Sequence, residues 1–394
     1  MVDSTQVQTL LDNRPGSVGA MFFERVAATP SREAYRYPVG DGWTSVTWAD
    51  TGTAVTHVAA GLISLGIQPE ERVAIASGTR YEWILADLGV MSAGAATTTV
   101  YPSTRSDGVS YILGDCEARV VFAEDDTQIA KLREHRCDLP ALAKVVTFDG
   151  TPDGDWVISF DDLQRAGNTL LVERPDVVSD RVASTKPASL ATLIYTSGTT
   201  GLPKGVRLPH SAWTYEGVAV DALGILGVED LQFLWLPLSH SFGKVLLTAQ
   251  LAVGFATAVD GRVDKIIDNL AVVRPTFMGA APRIFEKAYA RIVSTVAEDG
   301  GVKQRIFDRA FRVGHEVSRR RRADEPVPIW LSLQHRLLDA LVFSKIRQRF
   351  GGRLRFFISG SAALNKDLAE WFHAAGIVIL EGYGLTESSA GTCV

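Results

Sequence analysis

The chain has 394 residues, of which 46% are hydrophobic and 22% charged, and a formal net charge of −5. That length predicts two or three domains or sub-domains, with cores large enough to need no disulfide or metal staple. The charge excludes a broad electrostatic attraction to nucleic acid. The three scattered cysteines (Cys116, Cys137 and Cys393), with no CxxC pair or Cys/His cluster, exclude a local metal motif and fit reduced thiols in the cytoplasm.

The first residues, MVDSTQVQTLLDNRPG, lack a basic stretch followed by an apolar core, so no secretory signal is expected. From Arg72 onward, short β-rich runs alternate with helical spacing. RVAIAS (72–77) reads as a buried strand and 81–93 as a helix. TTTVY (97–101), RVVFAE (119–124) and KVVTF (144–148) read as further strands with helices between them. The segment 151–186 is polar, rich in Asp and weakly periodic; it is expected to be a peripheral connection. ATLIY (191–195) is the next strand. GVRL (205–208) resumes an extended pattern, and a helix start is expected at Ser211.

A second set follows: strands at QFLWLPL (232–238), PTFMGA (275–280), RLRFFISG (353–360) and IVILEGYG (377–384). Stretches 282–296, 303–322 and 329–350 are long enough for helices. The alternation predicts an α/β protein with parallel layers. Within one domain over 1–394, one layer is expected over 72–210 and another over 15–70 plus 230–394. The most apolar stretch, 245–259, is too short to span a bilayer. Arg319, Arg320, Arg321 and Arg322 read as a solvated helix end. The sharper reading is a patch for anionic lipid headgroups, a peripheral membrane contact, or for a phosphorylated cofactor. Oligomeric state is not readable.

The densest chemical signal is YTSGTTGLPKGV (195–206), leaving the end of a strand. A loop at the carboxyl edge of a parallel sheet is where α/β folds place ligands. Gly198, Gly201 and Gly205 let main chain approach a ligand closely. Thr196, Ser197, Thr199 and Thr200 add hydroxyl donors, together a nest for phosphate oxygens, with the Lys204 charge at its far end. The stretch is not a P-loop: Pro203 and Gly205 flank the lysine where Gly and Ser or Thr are needed. Without further signal, a surface loop of small polar residues would be an equal reading.

The order of residues resembles the phosphate-binding signature of adenylate-forming acyl-CoA synthetases, a superfamily shared with luciferases and peptide-synthetase adenylation domains. PLSHSFG (237–243) resembles that superfamily's P-L-x-H-x-x-G motif, and EGYGLTESS (381–389) its Y-G-x-T-E motif. The resemblance runs from near Val18 to the last residue. It implies two doubly wound α/β sub-domains and binding of ATP, Mg²⁺ and coenzyme A. It implies phosphate contacts from Thr196, Ser197, Gly198, Thr199, Thr200, Gly201 and Lys204. It places adenine against Gly360, Ser361, Ala362 and the stretch Glu381, Gly382, Tyr383 and Gly384, with Tyr383 stacking on the base. Thr386 would donate to the α-phosphate and Glu387 would hold Mg²⁺. His240 would position the substrate carboxylate, and Lys244, one helical turn on, would face the same mouth.

RPTFMGAAPRIFEKAYARI (274–292) resembles the long-chain fatty acyl-CoA synthetase branch; its small residues Gly279, Ala280 and Ala281 would leave room for an alkyl tail, with close helix–strand packing the equal alternative. The implied function is ATP-dependent adenylation of a fatty acid, then thioester formation on CoA. Family members continue beyond the third motif with a ribose-binding Asp, a hinge and a small domain carrying a catalytic lysine. The expectation is therefore an amino-terminal fragment lacking that small domain, which binds ATP weakly and turns over poorly. A fatty acyl-AMP ligase that loads a carrier protein, and a non-catalytic nucleotide-binding module, are the competing readings.

Overall fold

The structure, a computed structural model, describes residues 4–196 and 201–393. The strands in chain order are β1 (Glu33–Val39), β2 (Gly42–Thr47), β3 (Arg72–Ala76), β4 (Ala96–Val100), β5 (Val120–Ala123), β6 (Lys144–Thr147), β7 (Val157–Ser159), β8 (Leu190–Thr196), β9 (Lys204–Pro209), β10 (Leu231–Leu234), β11 (Ala256–Val259), β12 (Phe277–Ala280), β13 (Phe356–Ser359) and β14 (Val378–Glu381). The chain divides into two compact units. The first takes in residues up to 229, then 235–261 and 385–390; the second takes 230–234, 262–384 and 391 onward.

The first unit is built on a seven-stranded sheet in the order β7-β6-β5-β3-β4-β8-β9. All its pairs are parallel except the edge pair β8/β9. Strands β4 and β5 are buried at every position and β3 at all but its first. A sheet covered by helices on both faces demands this, and it makes the strands read as unbroken apolar or β-branched runs. The threonines of β4 fit because they are β-branched, and the Thr99 hydroxyl donates to the Ser239 carbonyl at 3.0 Å. A short ladder, β2 antiparallel to β1 and β1 parallel to β11, belongs to the same unit.

Two expectations are corrected in this unit, the second only in part. The segment 151–186 is not a bare connection. It forms β7, the helix Phe160–Glu173 and the helix Val177–Ser184. Ser159 and Asp162 cap the first of these reciprocally, each side chain accepting the other's backbone N–H. Its buried face is only Phe160, Leu163 and Gly167, a stripe too thin to register as periodicity. Residues 15–70 divide: β1 and β2 ladder onto β11, inside 230–394, as expected, whereas the helix that follows them packs on the first layer. Their helix Trp48–Ser64 packs on Tyr81–Ser92 and, through glycines, on Phe160–Glu173.

In the second unit, β14-β13-β12-β10 form a wholly parallel ladder. Phe285, Phe350, Phe357 and Phe372 meet edge-on in its core, and Phe311 stacks on Trp371 at 4.4 Å. The expected helix over 329–350 is interrupted. It runs Ile329–Leu338, widens to a π-turn over Asp339–Phe343, and resumes over Ser344–Arg349. The arginine run ends the helix Gly301–Arg322. Arg319 pairs with Glu316 and Glu325, Arg320 with Glu316, and Arg322 with Glu370, so three of its four cations are engaged by protein carboxylates. Among the described residues, no helix is long and apolar enough to cross a membrane.

Candidate functional site

The first motif occupies the β8/β9 hairpin. Thr196 ends β8 and pairs in register with Lys204, which begins β9. Ser197, Gly198, Thr199 and Thr200 lie outside the described residues. Both feet of the loop are tied down. Tyr195 Oη donates to Asp115 Oδ2 at 2.5 Å, and Tyr111 Oη donates to the Pro203 carbonyl at 3.1 Å. Burial and the Asp115 carboxylate push the Tyr195 phenol far above its ordinary value, so it stays a neutral donor. Gly201 has φ +106°, a conformation that a side chain would strain. Lys204 is exposed, its ammonium open to an anion.

The second motif ends in the helix Ser241–Val253, with His240 as its cap. His240 Nδ1 accepts the Phe242 N–H at 3.1 Å. That bond requires a lone pair on Nδ1, so the ring's proton sits on Nε2. Burial holds the imidazole below its ordinary value, which keeps it in this neutral form. Gly243 is needed for the turn: a Cβ there would lie 2.4 Å from the Pro237 carbonyl oxygen.

Lys244 does not face a pocket mouth, contrary to the reading from spacing. It is fully buried and ion-paired with both oxygens of Asp87. The faces of Trp83 and Trp213 lie 5.7 and 5.8 Å from its Nζ. Helical spacing places Lys244 one turn from His240, but it does not say which way that face looks. Burial pulls the ammonium below its ordinary value, and Asp87 opposes the pull.

His210 lies in the same region. It is fully buried, and its Nδ1 accepts the Val18 N–H at 3.2 Å. Burial, reinforced by the Lys244 charge, lowers it from 6.5 to about 4. Below 6.5 the unfolded chain binds a proton that the folded chain refuses. Stability from this group is therefore complete above 6.5 and is lost as pH falls toward 4. The loss reaches roughly 3 kcal/mol. His210→Asn keeps an acceptor for Val18 and removes the titration, so its denaturant-derived stability should fall less steeply over that pH window than that of the parent chain.

The third motif joins the first two within the first unit. The turn Thr386–Ser388 packs against β9, and Thr386 Oγ1 lies 3.3 Å from Ser241 Oγ, both buried. Ser241 went unnoticed as a site residue in the sequence; its place inside H-S-F-G was the available signal. Lys204 at the start of β9, the Thr386 hydroxyl and the amino end of the helix Ser241–Val253 thus bring cationic and hydroxyl donors into one neighbourhood. Glu387 projects from the same turn as an exposed carboxylate. Among the described residues no group of three His, Cys, Asp or Glu could hold a metal alone. One carboxylate suits Mg²⁺, which takes most of its ligands from phosphates and water.

In the second unit, the carboxyl ends of three neighbouring strands align: Ala280 of β12 with Ser359 of β13, and Ser359 with Glu381 of β14. Gly279 and Ala280 are buried in β12. Gly360 N–H donates to the Ala280 carbonyl at 3.4 Å, and Gly382 N–H to the Ser359 carbonyl at 2.8 Å. Beyond Gly360 the chain opens. Ser361, with φ +69°, and Ala362 are exposed. Glu381 is exposed and accepts the Leu364 N–H at 3.3 Å. Tyr383 is held by backbone bonds to Thr392 and Cys393, yet its side chain is 61% exposed, and Gly384 beside it is half-buried. A ring presented on a pinned backbone with small neighbours is a platform for a flat ligand.

Comparison with known proteins bears on the family and the fold. The model of the AMP-binding enzyme family matches residues 22–394. A long-chain-fatty-acid–CoA ligase of Mycobacterium bovis, FadD15, is 34% identical over 381 residues, covering 96% of this chain and 62% of its own length. The chain therefore spans about three-fifths of that curated relative. The crystal structure of the anthranilate CoA ligase AuaEII with anthranoyl-AMP superposes with a TM-score of 0.69 at 20% identity, covering 97% of this chain and 61% of its own. A long-chain-fatty-acid-CoA ligase, FadD1, from Archaeoglobus fulgidus superposes equally well, with a TM-score of 0.69 at 16% identity over 96% and 66% of the two chains. These two likenesses establish the fold.

Proposed function

The chain belongs to the AMP-binding enzyme family, and from that premise we propose that it adenylates a long-chain fatty acid for transfer to coenzyme A. A carboxylate oxygen of the acid attacks the α-phosphorus of ATP. The bond to the bridging oxygen breaks, and pyrophosphate leaves. The acid is already ionised at neutral pH, so no strong base is required and none is assigned. The thiol of coenzyme A then takes the acyl group, releasing AMP and giving up its proton. The similarity to FadD15 supports the choice of a long-chain acid.

The observation that carries this reading is the meeting of the three motifs in the first unit: β9 carrying Lys204, the Thr386 turn packed on it, and Ser241 bonded to Thr386. Lys204 and Thr386 would neutralise and orient phosphate oxygens, a positioning and electrostatic task. Thr196, Ser197, Gly198, Thr199, Thr200 and Gly201 would line the same phosphates. Glu387 would hold Mg²⁺, which supplies charge neutralisation on the phosphates. His240, fixed by its cap bond, offers Nε2–H to the substrate carboxylate. Gly360, Ser361, Ala362, Glu381, Gly382 and Gly384 would border adenine, and Tyr383 would stack on it. Gly279 and Ala280 would leave space for the alkyl tail.

Fatty-acid-dependent ATP–pyrophosphate exchange over a chain-length series tests this. Exchange should require a long-chain acid and rise by up to about fourfold for each added methylene that is buried. Lys204→Ala should lower it by two orders of magnitude or about that. Nucleotide binding without exchange with any acid would instead identify a non-catalytic module.

A further inference from the structure

We propose that the basic helical hairpin over 301–349 docks on the surface of an anionic lipid bilayer, with an exposed apolar ridge of its second arm lying in the interface. The ridge is Trp330, Leu333, Leu337 and Leu341, exposed by 61%, 62%, 63% and 46%. Steps of three, four and four residues keep these side chains on one helical face. The opposite face, with Leu331, Leu338, Phe343 and Ile346, is buried in the unit's core. A helix apolar on both faces, one of them in water, is unfinished without a partner. The first arm, Gly301–Arg322, lies alongside: Arg309 donates to Gln334 Oε1, and Phe311 meets Phe343 at 5.1 Å. It adds exposed Val302 and Ile306.

Charge identifies the partner. Residues 301–350 hold twelve Lys and Arg against five Asp and Glu, a net +7, whereas the rest of the chain carries a net −12. Arg305, Arg312, Arg336, Lys345 and Arg349 are exposed and form no ion pair among the described residues. Asp308 and Asp324 are the carboxylates of this stretch without a cation on them. An apolar ridge flanked by uncompensated cations matches a surface of anionic headgroups over acyl chains. A second copy of the chain fits poorly, since a two-fold contact on this face would set one +7 hairpin against another. The hairpin lies on the membrane and does not cross it, because none of its helices is long and apolar enough to span.

This inference rests on the hairpin alone and stands whether or not the chain forms acyl adenylates. Co-sedimentation of the chain with vesicles tests it, comparing equal parts phosphatidylcholine and phosphatidylglycerol with phosphatidylcholine alone. The chain should bind the mixed vesicles, lose binding as salt rises, and bind neutral vesicles far more weakly. Leu333→Gln with Leu337→Gln should weaken partitioning about tenfold or more. Arg336→Gln and Lys345→Gln should each weaken it roughly fivefold. All are exposed positions, and unchanged thermal unfolding would show the fold intact. Partitioning unmoved by the leucine changes would overturn the proposal. So would a concentration-dependent dimer that those changes abolish, with no binding to either vesicle.

Discussion

Lys244→Met is expected to lower the stability of the chain by about 3–5 kcal/mol, the usual cost of stranding one member of a buried ion pair. Lys244 and Asp87 are both fully buried, and the ammonium touches both carboxylate oxygens. Removing the ammonium leaves a fully buried carboxylate charge beside Trp83 and Trp213 without its partner. Asp87→Asn should cost a comparable amount by stranding the ammonium. The pair itself need not be a net gain over apolar side chains, since desolvation offsets most of the attraction. Lys244→Met with Asp87→Leu should therefore recover most of what either single change loses. Chemical denaturation of the four chains measures the coupling directly. A single-variant loss below about 1 kcal/mol would mean that water reaches the pair.

The second large effect is expected at Gly167. A Cβ there would sit 1.9 Å from the His57 carbonyl oxygen and 2.7 Å from the Gly61 nitrogen. Both are backbone atoms of the facing helix Trp48–Ser64, so no side chain can swing aside. The partner position is equally tight: a Cβ on Gly61 would lie 2.4 Å from the Leu163 carbonyl oxygen. Gly167→Ala must push the two helices apart, at about 3 kcal/mol, the upper end of ordinary overpacking costs. Gly114 is the control. It lies in the exposed last turn of the helix Ser106–Asp115 with nothing within 4 Å of a would-be Cβ. Gly114→Ala should stabilise by about 0.5–1 kcal/mol, the helix-propensity gain alone. Opposite signs at the two sites, read as shifts in denaturation midpoint, are the expected pattern.

Those glycines also explain what the sequence concealed. Strands β3 to β6 were legible because burial on both faces writes them as short runs of Val, Ala, Thr and Phe. The helix Phe160–Glu173 was not, because it meets its neighbour through Gly167, and a glycine adds nothing to a hydrophobic pattern. The grouping of 15–70 was legible for its strands, which ladder onto β11, but not for the helix Trp48–Ser64: local periodicity identifies a helix, but not the elements on which it packs. For the candidate site, motif order put forward Lys204, His240, Thr386 and Tyr383. Spacing from His240 then misdirected Lys244, because a turn of helix separates residues without saying which of them faces inward. Asp87, the partner that decides the matter, stands 157 positions away, beyond the reach of any local pattern.

The account turns on Tyr383 being a platform for the nucleotide base, and the affinity of α,β-methylene ATP for the chain and two variants tests this most directly. A stacked base contributes about 1–3 kcal/mol to affinity. Tyr383→Ala should raise Kd between roughly fivefold and a hundredfold. Tyr383→Phe, which keeps the ring and drops the hydroxyl, should leave it within about twofold. An alanine variant that binds the analogue as tightly as the parent chain would show that the base rests elsewhere.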